Sequence, residues 1–520
     1  MAMTRSVAVK PYFGGFVLET LTVGMYGDSH NAIREYVQNG FDSVQRATQE
    51  LKLLKPGDGL IQVIFDDDMD GLKIRDNGAG LPAQLAGETL TSIGASRKNY
   101  KSDAGFRGIG RLAGIVFSNA LTFRTKAAGE AEETQVVFNA IRMRELMSPG
   151  NGSALSAEDL LRECVEVFIH ETDPKLPPYF EVHLRGFTEA PDECTQPTQM
   201  NHFLSQVAPV SYRDDFEYKA AIRERGRRFG IPIEEVAVVI EAPATPPTFV
   251  FKPYRAVYEV QNATDDSPLA DVEYFESPTR RWWGWLGKKT DPGSYLKTDV
   301  RGIRVRAKNI QIDDTDVVRE IFQKRSASNA RYQDWFVGEI FVDTKSVTPN
   351  ARRDRFEDTA AWRAVQKEIA DSVCREAGRS AQSISNQGQL TLQKLRDRTE
   401  RLREDLEGLR NTGFRNSDRT IALSAEVTKV YADVARASRN AEASTHAELQ
   451  YLSSQLSDVK SEALGRLTTP PPALDREVVE QEARQTLLAE LMISFENQLA
   501  APCLAAVRNI VREEYDYPPA

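Results

Sequence analysis

Glu35, Asn39 and Asp42 are spaced i, i+4 and i+7, an interval that sets three polar side chains on one face of a helix. A carboxylate beside an amide oxygen is what metal-assisted hydrolysis of a nucleotide needs. A hard Mg2+ takes oxygen ligands and keeps several waters, while a nearby carboxylate orients or deprotonates the attacking water. An amphipathic helix with solvated polar residues shows the same pattern, so the trio alone decides little. A second group, Asp76-Asn77-Gly78-Ala79-Gly80, puts a carboxylate before glycines that let backbone approach a ligand closely. Such a carboxylate can accept a hydrogen bond from the amino group of adenine, although the same residues also suit a tight hairpin turn. A third group, Gly105-Phe106-Arg107-Gly108-Ile109-Gly110, exposes backbone N–H groups of the kind that bind anions.

These residues require particular elements to hold them. Ala32, Ile33, Tyr36, Val37 and Val44 recur near helical spacing, with Asp28 or Ser29 as N-cap. Ile61 to Phe65 and Gly71 to Arg75 alternate as strands, and the acidic run Asp66-Asp67-Asp68-Met69-Asp70 between them reads as a solvated hairpin loop rather than a metal site. Arg111 to Phe117 reads as a buried helix following the glycines. Residues 81–104 have the length of a lid, in which Lys98 either reaches a phosphate or is an ordinary surface lysine.

In this order within the first 115 residues, the three motifs resemble the ATP site of the GHKL superfamily. That superfamily includes heat-shock-90 chaperones, type II topoisomerase ATPase subunits, mismatch-repair ATPases, MORC proteins and histidine kinases. The resemblance implies a Bergerat fold, an α+β sandwich that binds ATP with Mg2+. It implies Glu35 as general base, Asn39 as Mg2+ ligand and Asp76 as the adenine-binding acid. Gly78 and Gly80 would turn over the base, Gly105, Gly108 and Gly110 would form the phosphate loop, and Lys98 would be the lid cation. One departure stands out: the Gly-Thr that precedes a late strand in the superfamily has no counterpart before Phe180 to Leu184, where Pro174, Pro177 and Pro178 lie instead. A second resemblance separates the branches. Residues 301–314 and 335–354 look like the middle domain of heat-shock-90 chaperones, whose arginine reaches the terminal phosphate; alignment through Asn350 puts that role on Arg353, with Arg352 the near alternative. A guanidinium is a rigid fork of donors suited to charge developing on a phosphoryl group. The two resemblances span roughly residues 15–358, loosely between the motifs.

With 520 residues, 41% hydrophobic and 27% charged, the chain suits three or four domains. A net charge of −10 argues against a surface built wholly for nucleic acid. Cys164, Cys194, Cys374 and Cys503 lack CxxC spacing, which fits a reducing compartment and gives no metal site. The sequence has no 18-residue apolar run, so no membrane partner is expected and the expected location is cytoplasmic. We expect an ATP-binding domain over 1–200, a second α/β (middle or transducer) domain over 203–358, a helical coiled-coil hairpin over 360–467 and a C-terminal helical segment over 473–520. In the second domain, Arg280 to Lys289 carries Trp282, Trp283 and Trp285 among basic residues; they either stack bases, grip a client or touch a membrane surface, or pack on their own domain. Leu392, Leu395, Thr399, Leu402, Leu406 and Leu409 form a heptad seam, broken at Asn411-Thr-Gly413 and resumed from Ser417 through Leu449, Leu452, Leu456 and Val459. Beyond Thr468-Thr-Pro-Pro-Pro472, Leu487, Leu488, Leu491, Met492, Phe495 and Leu499 make an apolar stripe that needs a partner.

The expected function is that of a heat-shock-90-like ATPase clamp: a homodimer closed by ATP that holds or remodels a macromolecular client in chaperone-like fashion, with a protein client or partner effector. A MORC-like or DNA-repair-like ATPase acting on nucleic acid, in defence or otherwise, is the alternative. A nucleotide-sensing scaffold without turnover is the third.

Overall fold

Alternating residues in β1 (Leu60–Phe65) and β2 (Gly71–Asp76) bury every second side chain, as a half-covered sheet requires. The computed structural model describes residues 14–21, 30–93, 110–148, 155–260, 266–289, 293–312, 315–350, 353–389, 392–414, 417–438, 443–468 and scattered positions from 484 to 511. It divides into two compact units, 1–385 and 386–520. Further strands β3 (Ser118–Lys126), β4 (Glu132–Asn139), β5 (Val165–Glu171), β6 (Tyr179–Phe187), β7 (Ala237–Glu241) and β8 (Thr248–Phe249) complete an eight-stranded sheet in the order β5-β4-β3-β6-β2-β1-β7-β8. Only β1 and β7 pair in parallel.

Helices α1 (Phe16–Leu21), α2 (His30–Gln49) and α3 (Ala83–Thr91) belong to the same unit. Tyr36, Val37, Phe41 and Val44 of α2 share one core with Ile61, Val63, Leu72, Ile74, Val182 and Leu184 of the sheet. The opposite sheet face is charged and paired, with Lys73 on Asp66 at 3.1 Å and Arg75 on Glu181 at 3.5 Å. The acidic run is a hairpin loop, as expected: Asp66 N donates to Gly71 O and Met69 N to Asp66 O. The sheet reaches past residue 200 because β7 returns beside β1. A parallel neighbour needs a long crossover, here through the helices Pro197–Val207 and Lys219–Phe229.

Beyond a small pair, β9 (Val257–Tyr258) and β10 (Ser267–Pro268), lies a second sheet. It comprises β11 (Asp271–Glu276), β12 (Trp282–Lys288), β13 (Gly302–Ala307), β14 (Ile310–Ile312) and β15 (Val337–Val342), ordered β11-β12-β15-β13-β14. The tryptophan-rich segment is therefore a central strand and not a loop. Trp282, Trp283 and Trp285 are 0%, 0% and 1% exposed, so none of them offers a stacking platform. The helix Ala360–Ile369 closes this core with Trp362, Val365 and Ile369. Its Glu368 accepts from Thr279 Oγ1 at 2.8 Å and Trp282 Nε1 at 3.0 Å. Residue 360 consequently belongs with the second sheet and not with the helical region after it.

In the unit 386–520 the leucine seam forms three helices, Leu392–Asn411, Ser417–Ser438 and Ala443–Thr468, one more than a hairpin requires. Leu402, Leu406, Leu423, Val427, Val430, Leu452 and Leu456 share their core. Among the described residues no helix is long and apolar enough to cross a membrane.

The second sheet is organised around a buried charge. Glu339 of β15 is 0% exposed and takes Lys252 Nζ at 2.9 and 3.1 Å, Arg306 Nε and the Tyr212 hydroxyl. Burial alone would raise the Glu339 carboxyl, but Arg306 and then Lys252 outweigh it and hold it at about 2 against an ordinary 4.5. Burial and Arg306 push the Lys252 ammonium down, and Glu339 restores only part of this. Removing one member of such a network strands the others without solvent. Glu339→Gln should destabilise the chain by about 3–5 kcal/mol in denaturant melts, and a loss below about 1 kcal/mol would show that the network is not load-sharing. The depressed carboxyl contributes stability that is present above the unfolded value of 4.5 and lost as pH falls towards about 2. Acid unfolding in that window should be blunted in the variant.

Candidate functional site

The site is assembled where α2 meets the end of β2. Gly40 permits the contact: a methyl there would stand 3.2 Å from Ile61 Cδ1 and 3.3 Å from Asp76 Cβ, tighter than packed carbons tolerate. Asp76 ends its strand 3% exposed and accepts from Gly78 N at 2.9 Å. Ser43 of α2 holds the next residue, its Oγ accepting from Ala79 N at 3.1 Å. Asn77 is structural, accepting from Leu60 N at 2.8 Å and donating to Asp58 O at 2.9 Å. Gly80 has φ +62°, and a methyl on it would lie 2.0 Å from Lys126 O, so only glycine serves there. Leu81 N donates to Thr125 Oγ1 at 2.8 Å. Thr125 lies beside Phe180 on β6, and Phe180 beside Asp76 on β2, so the three share a row across the sheet. Thr125 is thus the threonine of this corner, one strand away from where the superfamily's Gly-Thr would fall.

Glu35, Asn39 and Asp42 all lie on α2. Asp42 is 8% exposed, and its charge adds to the burial that raises the Glu234 carboxyl. Glu35 meets Arg353, whose Nε is 4.0 Å from Glu35 Oε2, with side-chain exposures of 10% and 15% for the two. Arg353 has φ +57°, a conformation unfavourable for a residue with a Cβ and found at sites where the surroundings enforce it. Enforcement comes in part from Arg34, one residue before Glu35. Its Nη2 donates to Arg353 O at 2.9 Å and to Gln311 O at 2.6 Å. Arg355 instead pairs with Glu320 at 2.7 Å on the surface. Arg352 lies outside the described residues, as do Lys98, Gly105 and Gly108.

Gly110 opens the buried helix that the sequence suggested, and it is a 3-10 helix, Gly110–Val116. It is fastened to α2 through the Tyr36 hydroxyl, which donates to Arg111 O at 3.0 Å and accepts from Gly114 N at 2.8 Å. Sequence reading missed Arg34, Tyr36, Ser43 and Arg111. Arg34 and Tyr36 adjoin the motif glutamate, and Arg111 adjoins the motif glycine, so adjacency was the available signal.

A Mg2+ here would draw on the Asn39 amide oxygen and on phosphate oxygens. Asn39 is half-buried on α2, one turn from Glu35, a placement that fits Mg2+, which keeps waters and uses few protein ligands.

Residues 26–156 match the family model described as histidine kinase-, DNA gyrase B- and HSP90-like ATPase. This part of the chain is a GHKL-type ATPase domain. The match contains α2, β1 to β4 and the glycine motifs but stops well before Arg353. A search of curated proteins found no match to the chain.

Asp76→Asn keeps an oxygen for Gly78 N while turning one acceptor into a donor. ATP affinity should fall by about a hundredfold in calorimetric titration with the melting temperature within a few degrees of the parent. Unchanged affinity would remove Asp76 from the base pocket.

Proposed function

We propose that the chain is a Mg2+-dependent ATPase of heat-shock-90-like type, in which hydrolysis requires the second sheet to be docked against α2. The observation that carries this reading is Arg353, contributed from outside the family match and held 4.0 Å from Glu35. In this mechanism Asp76 selects adenine, and Gly78 and Gly80 let the backbone close on it. Asn39 would hold the Mg2+, which would supply charge neutralisation on the phosphates. Glu35 orients the attacking water and accepts its proton. Arg353 stabilises the charge that develops on the terminal phosphoryl group. Because Arg34 grips the backbone of Arg353, the arginine's position depends on docking. ATP-driven closure of two copies around a protein client is the output we assign, a normal use of nucleotide binding energy. The nucleic-acid alternative has lost its tryptophan platform to burial.

Turnover and light-scattering mass, with ATP or a non-hydrolysable analogue, test this. Glu35→Ala should retain ATP binding and lose about a hundredfold or more in kcat, the scale of a general base. Arg353→Ala should lose kcat with ADP affinity unchanged, and the parent should double its mass with the analogue. Parental turnover in the Glu35 variant would falsify the base assignment, and a mass unchanged by nucleotide would sink the dimeric clamp.

A further inference from the structure

Arg111 has no place in the mechanism so far, yet its surroundings single it out. It directly follows Gly110, the last glycine of the phosphate motif, in the first turn of the 3-10 helix. Its own carbonyl is fixed to α2 by Tyr36, the residue after Glu35. Gly114 makes this contact close, since a methyl there would lie 2.7 Å from the Tyr36 hydroxyl and 2.3 Å from Leu184 Cδ2. The backbone carrying Arg111 is therefore locked to the turn of α2 that carries Glu35. The guanidinium is largely withdrawn from solvent: burial lowers its pKa, and the Glu35 carboxylate is the charge that offsets this. Arginine stays protonated throughout, so Glu35 feels the charge of Arg111 as well as that of Arg353.

The side chain also bridges two ends of the chain. Arg111 Nη1 donates to Thr89 O in the last turn of α3. Thr89 and Arg111 lie on either side of residues 94–109 in the sequence, and this hydrogen bond ties the two together. A guanidinium has five donors in a plane, and one bond to a carbonyl does not exhaust it. Among the described residues, two guanidinium charges act on the one Glu35 carboxylate, an arrangement that a phosphate group would balance.

We propose that Arg111 is a second phosphate-reading arginine, binding the terminal phosphate of a nucleoside triphosphate from the glycine-motif side while Arg353 approaches from the second sheet. This rests on the ATPase reading above. It adds that the ATP-binding domain itself distinguishes triphosphate from diphosphate before the second sheet contributes.

The test uses the full chain with Mg2+ and compares calorimetric affinities for ADP and a non-hydrolysable ATP analogue in the parent, Arg111→Gln and Arg111→Lys. The glutamine variant should bind the analogue about ten- to a hundredfold more weakly, the value of one or two charge-assisted hydrogen bonds, with ADP affinity changed less than about twofold. Lysine, a point charge without the fork, should recover part of that loss. Equal losses for both nucleotides, or no loss for either, would overturn the proposal by making Arg111 a fold-supporting residue or a bystander. If both variants unfold, a crystal structure of the parent with the analogue decides: a guanidinium nitrogen within about 3.2 Å of a terminal phosphate oxygen is expected, and a guanidinium on Thr89 without that contact overturns it. A parent that binds neither nucleotide removes the ATPase reading itself, an outcome distinct from failure at Arg111 alone.

Discussion

Arg34 and Glu35 are neighbours on one helix, and the chain uses the roughly 100° between successive helical side chains to face them in different directions. Arg34 turns to the second sheet, donating to Gln311 O and Arg353 O; Glu35 turns to the site, where it meets the Arg353 side chain. One arginine thus holds the backbone of another whose head lies against the adjacent glutamate. Neither half of that arrangement survives without the other. If the second sheet moved away from α2, Arg34 would lose two acceptors while remaining at the edge of an apolar core, where unmet donors are costly. Docking of the sheets and completion of the site are consequently the same event in physical terms.

That coupling needs a stiff second module, and Glu339 explains the stiffness. Its carboxylate joins β15 to Arg306 of β13, to Lys252 and to Tyr212. Arg306 also donates to Asn309 O and Gln206 O, fixing the turn between β13 and β14. Lys308 and Asn309 both have positive φ there, the geometry of a two-residue hairpin turn. Asn309 Nδ2 then reaches Glu234 O at 2.8 Å, just before β7 of the first sheet. A fully buried ionic network is a poor source of net stability, but it penalises every arrangement that breaks it. The hairpin ending near Gln311 is therefore held in one pose, and Arg34 reads that pose.

The site was legible in the sequence wherever a residue type and a local spacing sufficed. The helical interval of Glu35 and Asn39, the strand ending at Asp76 and the backbone demand at Gly80 all follow from neighbours within a few positions. The ATPase domain is supported by the family match over 26–156, while the roles of individual residues stand as proposals. What local reading could not supply were pairings across long sequence separations. Thr125 joins the Asp76 row only because β3 and β2 flank β6. Arg34 is an ordinary helix-surface arginine until β14 is brought beside it. The tryptophans of β12 carry no alternation, since both faces of that strand are buried, and a run buried on both sides looks like a sticky loop to any pattern based on period two. The third helix of the 386–520 unit was missed for the opposite reason: apolar residues recur at similar spacing on both sides of the break between Ser438 and Ala443, so periodicity alone joins two helices into one.

The charge balance at Glu35 gives the arrangement its direction. Arg353 and Arg111 both act on a single carboxylate, and the site is mostly shielded from water. A surplus cation in such a place is unfavourable by itself, because desolvation is only partly offset by one counter-charge. In the proposed mechanism the terminal phosphate of ATP would bring the missing negative charge, whereas ADP would leave it further away. Binding of the triphosphate would then stabilise the state in which both guanidiniums converge, and cleavage followed by phosphate release would restore the imbalance. The difference between those two states is electrostatic and local, yet one of the two arginines belongs to the second sheet. On the proposed reading, a change of one phosphate would be felt as a change in how firmly that sheet is held against α2, which is what an ATPase needs if hydrolysis is to move part of the molecule.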